Sequence, residues 1–272
     1  RTRKLLEVFP ERGVILVRDK KDETKWRSLG FASEEYERMV REIIRLTPQW
    51  RQQGFLNDSR VAFFADYLGH EDRNAHELAY LEVGRAPYNQ IKQLGAKWPL
   101  DQIRALLRDP VYFEWYPLAI LILALNGDAS DRSYIIDRFS SLARFGMSAN
   151  LSAWTTALIE IQEAAAVVVV EEKYFRSSAR SREELVAVML ALSEHGTNGH
   201  THLRDRIIQS YSTLLDYHPK MASYVAKDLM TWRRWELADQ LAEVLETIEQ
   251  TDPLNAYSIK LYLGQVKKAN TS

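Results

Sequence analysis

Cysteine is absent from the 272 residues of this chain, and its absence removes disulfides, thiolate zinc sites, iron–sulfur clusters and thiol nucleophiles together. It leaves the compartment open. A dominant charge is missing too. With 36 basic and 37 acidic residues the formal net charge is -1, so no global field draws the chain to nucleic acid or an anionic membrane. No apolar run approaches the ~20 residues that cross a bilayer. The longest, residues 117–125 and 164–170, read as buried core segments, and no integral membrane segment is expected. The catalytic signatures sought are missing as well: no GxxxxGK[ST] phosphate loop, no G-x-G-x-x-G after a strand, no H-E-x-x-H and no G-x-S-x-G elbow. Paired carboxylates such as Glu34-Glu35, Glu171-Glu172 and Glu183-Glu184 lie in helical contexts. Neighbours in sequence project in different directions there, so they read as solvated faces.

What is present is the composition of a folded protein, 46% hydrophobic and 27% charged. The length exceeds the usual single core, which points to one elongated unit or two domains. The first residues carry the clearest β signal. Leu5, Leu6, Val8 and Phe9 lead into the turn composition Pro10-Glu11-Arg12-Gly13, and Val14-Ile15-Leu16-Val17 follows as a second strand. Strand is expected mainly within residues 4–18, with 20–25 a polar loop. The chain opens at Arg1 without a methionine and in mid-pattern, so an upstream targeting segment or domain is expected.

From Ser33 the apolar period becomes helical. Ser33 reads as an N-cap, Met39, Val40, Ile43, Ile44 and Leu46 as one face, and Thr47-Pro48 as the stop. Thirteen further helices are read near 58–69, 72–85, 87–95, 99–108, 114–126, 130–143, 149–161, 163–176, 181–195, 201–217, 219–230, 234–248 and 253–267. The valine-rich run 164–170 is predicted to be a buried helix, with Val168 inside. Tight polar turns recur after apolar helix ends, as in Tyr67-Leu68-Gly69-His70-Glu71-Asp72, Leu106-Leu107-Arg108-Asp109-Pro110 and Leu214-Leu215-Asp216-Tyr217-His218-Pro219. Helix pairs across these turns form units of roughly 35–45 residues, the range of HEAT and armadillo repeats. The fold class expected is therefore all-α: a HEAT/armadillo-like α-solenoid, a right-handed superhelix of antiparallel helix pairs with a short N-terminal β-hairpin. Residues 1–30 would end a small β element and its linker, and 31–272 would be the repeat domain.

Particular residues carry a family resemblance. Arg60-Val61-Ala62-Phe63-Phe64 through Tyr67-Leu68, Ala79-Tyr80-Leu81-Glu82, Arg85-Ala86-Pro87-Tyr88, Leu106-Leu107-Arg108-Asp109-Pro110, Leu125-Asn126-Gly127-Asp128, and Asp228-Leu229 with Trp232 and Trp235 together resemble a family of uncharacterised bacterial HEAT-repeat proteins, many of them exported. The resemblance implies a helical array after a small β domain and a periplasmic or otherwise exported location. It implies no activity, and a cytoplasmic setting stays open. Between the two tryptophans the family carries acidic residues, where this chain has Arg233-Arg234.

Three segments hold candidate sites. His195, His200 and His202 could ligate zinc or copper, yet Gly196 and Gly199 also suit an interhelical loop, and no carboxylate at a standard ligand spacing completes the set. Trp232, Arg233, Arg234 and Trp235 combine residue types enriched at binding hot spots, and tryptophans at a helix corner also fill gaps between repeats. Asn126-Gly127-Asp128-Ala129-Ser130-Asp131 offers oxygens for calcium but lacks the EF-hand pattern, and capping by Asp128 or Ser130 explains it. The function expected is a non-catalytic scaffold for a protein or peptide, without a cofactor. Its counterpart is a metal-dependent or hydrolytic enzyme centred on His195, His200 and His202.

Overall fold

The structure, a computed structural model, describes residues 13–19, 21–22, 24–54, 57–95 and 97–271. Helix dominates them, with a small antiparallel sheet near the N-terminus. The sheet pairs β1 (Gly13–Arg18) with β2 (Trp26–Ala32) in antiparallel register. The register slips between Ile15 and Leu16, where Gly30 and Ser28 are the successive partners and Leu29 is the extra residue. Strand thus reaches Ala32, beyond the expected limit of residue 18. Trp26-Arg27-Ser28-Leu29-Gly30-Phe31-Ala32 hides it, because a bulge and a glycine break the period-2 pattern. The strand expected at Leu5, Leu6, Val8 and Phe9, and Pro10, Glu11 and Arg12 of its turn, lie outside the described residues.

The chain forms two compact units, dividing after Gln102. In the first, α1 (Glu34–Gln53) begins at Ser33, whose Oγ accepts from Tyr36 N at 3.1 Å and donates to Asp72 Oδ2 at 2.6 Å. The helix runs through Pro48, where a stop was expected. Proline removes one ladder donor, but burial of Trp50 against Phe63 and Phe64, with centroids 5.5 and 5.9 Å away, favours continuation. Met39 and Trp50 point inward, and Ile44 is exposed, one step off that stripe. Helices α2 (Asp58–Ala65), α3 (Arg73–Val83) and α4 (Tyr88–Gln93) follow. Trp98 is buried edge-on to His76 and Tyr80. Arg60 forms a buried ion pair with Glu82 and lies over the rings of Trp50 and Phe64.

After α5 (Leu100–Leu106), which spans the boundary, the second unit contains α6 (Tyr116–Asn126), α7 (Ala129–Phe145), α8 (Leu151–Gln162), α9 (Ala164–Val170), α10 (Arg182–Thr197), α11 (Arg204–Tyr217), α12 (Ala222–Trp232), α13 (Ala238–Ile248) and α14 (Pro253–Thr271). Contacts within this unit alternate. Helices α6, α8, α10, α12 and α14 each pack on the next of that row, while α9, α11 and α13 pack in a second row. Phe139 of α7 reaches the second row through Tyr174, centroids 5.7 Å apart. The reason is legible in α6, whose residues Leu118 to Ala124 are buried all round: a helix apolar on every side needs neighbours on every side.

Between Val170 and Arg176 the second row widens by one residue. Glu171–Phe175 is a π-turn, and Arg176 N donates to Glu171 O at 3.0 Å. The widening directs Glu171 to Arg206 (2.7 Å), Arg176 (2.5 Å) and the Thr213 hydroxyl (3.1 Å). Its carboxyl sits below the usual range: burial opposes ionisation, and the two guanidinium hydrogen bonds outweigh it.

The run 164–170 is helical as predicted, but Val168 is 40% exposed while Ala166, Val167 and Val170 are buried. The 3.6-residue period requires this, since at about 100° per residue Val168 projects to the opposite side of the helix from the arc shared by Ala166, Val167 and Val170. The expectation that Val168 is inside is thereby corrected. Val168→Asp is predicted to cost less than about 1 kcal/mol in urea denaturation, the range for an exposed helix position. A loss of 3 kcal/mol would put the side chain in the core.

Candidate functional site

The Trp232–Trp235 corner is mainly packing. Trp232 closes α12 and is buried, its Nε1 donating to Thr197 Oγ1 at 3.0 Å and its ring stacked on Tyr211 at 6.0 Å and 7°. Gly196 is required beneath it, for a Cβ there would lie 2.2 Å from Trp232 Cζ2. Tyr211 and Ser193 donate hydroxyl hydrogen bonds of 2.6 and 2.7 Å to the buried Asp228. Burial pushes that carboxyl above its ordinary value, and the two hydroxyls only partly offset the push.

Arg233 ends α12 in the left-handed region, φ +55°. Its N–H donates to Met230 O, and Arg234 N donates to Leu229 O at 2.9 Å, a Schellman-type end. Arg234 pairs with Asp205 at 2.7 Å and with Glu236. Trp235 is half-buried, 5.6 Å from the Tyr262 ring. Of the four residues expected to bind a partner, Arg233 alone is classed as exposed. Trp232 is thus committed to the core, while Arg234 is paired with carboxylates at the surface and Arg233 stays exposed.

The oxygen-rich segment resolves as a cap. Asp128 accepts from Ser130 N and Asp131 N, and Asp131 Oδ2 accepts from Asp128 N at 3.0 Å, a capping box. Arg104 bridges the two aspartates at 3.0 and 2.7 Å. Gly127 serves close approach rather than a left-handed turn: its φ is -71°, and an added Cβ would meet Leu123 O at 2.5 Å.

The histidine loop gains partners that sequence spacing hid. Glu160 and Glu163 at the end of α8 lie beside it: His200 Nε2 is 3.1 Å from Glu160 Oε2, and His202 Nε2 is 3.1 Å from Glu163 Oε2. His195, fully buried in the last turn of α10, has Nε2 3.0 Å from Thr156 O. A carbonyl only accepts, so that nitrogen bears a proton, and in the neutral ring Nδ1 carries the lone pair. The rings of His195 and His200 stack at 5.3 Å and 16°. No carboxylate at a standard ligand spacing was expected, and the two that the fold brings in, Glu160 and Glu163, lie some forty positions from His200 and His202 in the chain. Their i, i+3 spacing was a visible signal, and only the fold connects it to the loop.

At the other ends of the same helices a groove of about 510 Å³ crosses the first row. Leu151 of α8, Val186, Ala187 and Leu190 of α10 and Tyr224 of α12 form its walls, with Arg182 and Glu183 among its polar lining. Leu190 is 54% exposed. Such a volume lies within the range of binding clefts. No sequence signal marks these residues, because each reads as an ordinary member of an amphipathic helix. Comparison with protein families, with curated proteins and with solved structures finds no match for the chain.

Proposed function

We infer that residues 103–272 form a HEAT-like α-solenoid, right-handed as in such arrays, acting as a non-catalytic scaffold that holds an extended segment of a partner protein. The observation that carries this reading is the groove spanning three successive members of one helical row. Stacked helix pairs present such row surfaces to partners. The occupant is an extended peptide that inserts an apolar side chain between Val186, Ala187 and Leu190. Arg182, Glu183 and Asn150 are placed to engage its polar groups. The resemblance to exported HEAT-repeat proteins favours a periplasmic setting.

Peptides selected from a random displayed library against the intact chain supply the test. Leu190→Asp should weaken their binding at least tenfold, about 1.4 kcal/mol, while Arg233→Glu leaves it within twofold. Unchanged binding by Leu190→Asp, or loss confined to Arg233→Glu, would move the partner surface to the tryptophan corner.

A further inference from the structure

We propose that Glu160, His195 and His200 hold one divalent transition-metal ion, with Glu163 and His202 at its open side. Two overlapping triads exist among the described residues, Glu160–His195–His200 and Glu163–His200–His202. Within each, the potential ligand atoms lie within 4.8 Å of one another. That spacing suits donors around a single ion after modest side-chain adjustment, given metal–ligand bonds of roughly 2.0–2.2 Å.

The inner triad differs from a surface salt bridge. His195 is fully buried, and the His200 and Glu160 side chains are only 16% and 10% exposed. The outer pair, Glu163 and His202, is 55% and 60% exposed. The cluster therefore has a closed inner side and an open outer side. His195 also has the support that metal-bound imidazoles use, a carbonyl acceptor at Thr156 that fixes the ring and directs the Nδ1 lone pair away from it.

Local backbone agrees. Glu163 adopts φ +49° and ψ -122° between α8 and α9, a conformation that residues with a Cβ rarely occupy and that clusters at functional positions. It brings the Glu163 carboxylate to His202. Glu160, Glu163 and His195 also lie at the C-terminal ends of α8 and α10, where the helix dipole favours positive charge.

The donor set identifies the ion class. Imidazoles with carboxylates and no thiolate suit zinc, cobalt, iron or manganese, and disfavour calcium and magnesium, which prefer all-oxygen shells. Two histidines and a glutamate also form the protein ligand set of open zinc sites, in which a further position takes water or another ligand. The groove lies at the opposite ends of α8 and α10, so the ion and the peptide can be tested apart.

The test is calorimetric titration of the chelator-stripped chain with zinc chloride, paralleled by cobalt(II) absorption. Wild type should bind one equivalent of zinc with micromolar or tighter affinity, and cobalt should give the intense visible bands of a four- or five-coordinate site. His200→Ala should abolish this binding and Glu160→Gln should weaken it at least tenfold. His202→Ala should act less, and His70→Ala, outside the cluster, not at all. Far-UV circular dichroism must show each variant folded. Because His195 is core, Glu160→Gln and His200→Ala, not a His195 variant, decide the matter. Failure of wild type to bind near-stoichiometric zinc, or equal binding by His200→Ala and Glu160→Gln, would overturn the assignment and leave these residues as salt bridges tying the loop to α8.

Discussion

Trp232→Ala is expected to lower the unfolding free energy by about 3–5 kcal/mol, the range for emptying a large aromatic site in a core. Three interactions end together: the Tyr211 stack, the Nε1 hydrogen bond to Thr197, and the contact that covers Gly196. The cavity would open beside Asp228, whose partner Tyr211 is the ring that stacks on Trp232. Gly196→Val tests the same junction from the other side, since its Cβ would have to displace the indole. Trp232→Phe should recover part of the loss. Urea denaturation followed by circular dichroism provides the measurement, and a loss below 1 kcal/mol for Trp232→Ala would make the corner a surface feature.

The second large effect belongs to the first unit. Arg60→Ala is predicted to cost about 3–5 kcal/mol, because removing one partner leaves the other's charge buried. The two side chains are only 8% and 12% exposed. Arg60 also lies 5.7 Å from the Trp50 ring centroid and 5.4 Å from that of Phe64, so truncation forfeits aromatic contact as well as charge. Arg85 Nη1, 3.5 Å from Glu82 Oε1, offers partial compensation and places the expectation toward the lower end. A double change, Arg60→Met with Glu82→Leu, should be markedly less harmful than Arg60→Ala, since it leaves no buried charge. If the double variant is the worse of the two, packing rather than charge holds this site.

Much of the helical pattern was legible because amphipathic periodicity is local. Ser33 reads as an N-cap and is one, and of the two caps read for α7, Asp128 or Ser130, Asp128 is the one that forms. The errors arose where tertiary packing overrode a local signal. Pro48 looked like a stop, and the burial of Trp50 carried the helix past it. Val168 sat in an apolar run, yet helical phase turned it outward. The bulged, glycine-containing β2 had no clean alternation to detect.

The candidate sites divide in the same way. Histidines clustered in one loop were visible, while Glu160 and Glu163 come from another helix and join them only through packing of α8 against α10. Tryptophan and arginine at 232–235 advertised a hot spot by composition. Composition does not report that Trp232 covers Gly196 or that Arg234 is already paired. The groove residues carried no signal at all, since an outward leucine such as Leu190 is distinguished only by its neighbours.

The central claim is that the first helical row of the second unit, and not the second row, receives a partner. Site-specific photo-crosslinking in extract of the native host tests it most directly, with one photoreactive residue in place of Leu190 and another in place of Val168, both exposed and apolar but on different rows. A discrete crosslinked product from position 190, suppressed by a library-selected peptide and missing from position 168, is the predicted result. A product from position 168 alone, or one from position 190 that the peptide does not suppress, would contradict it.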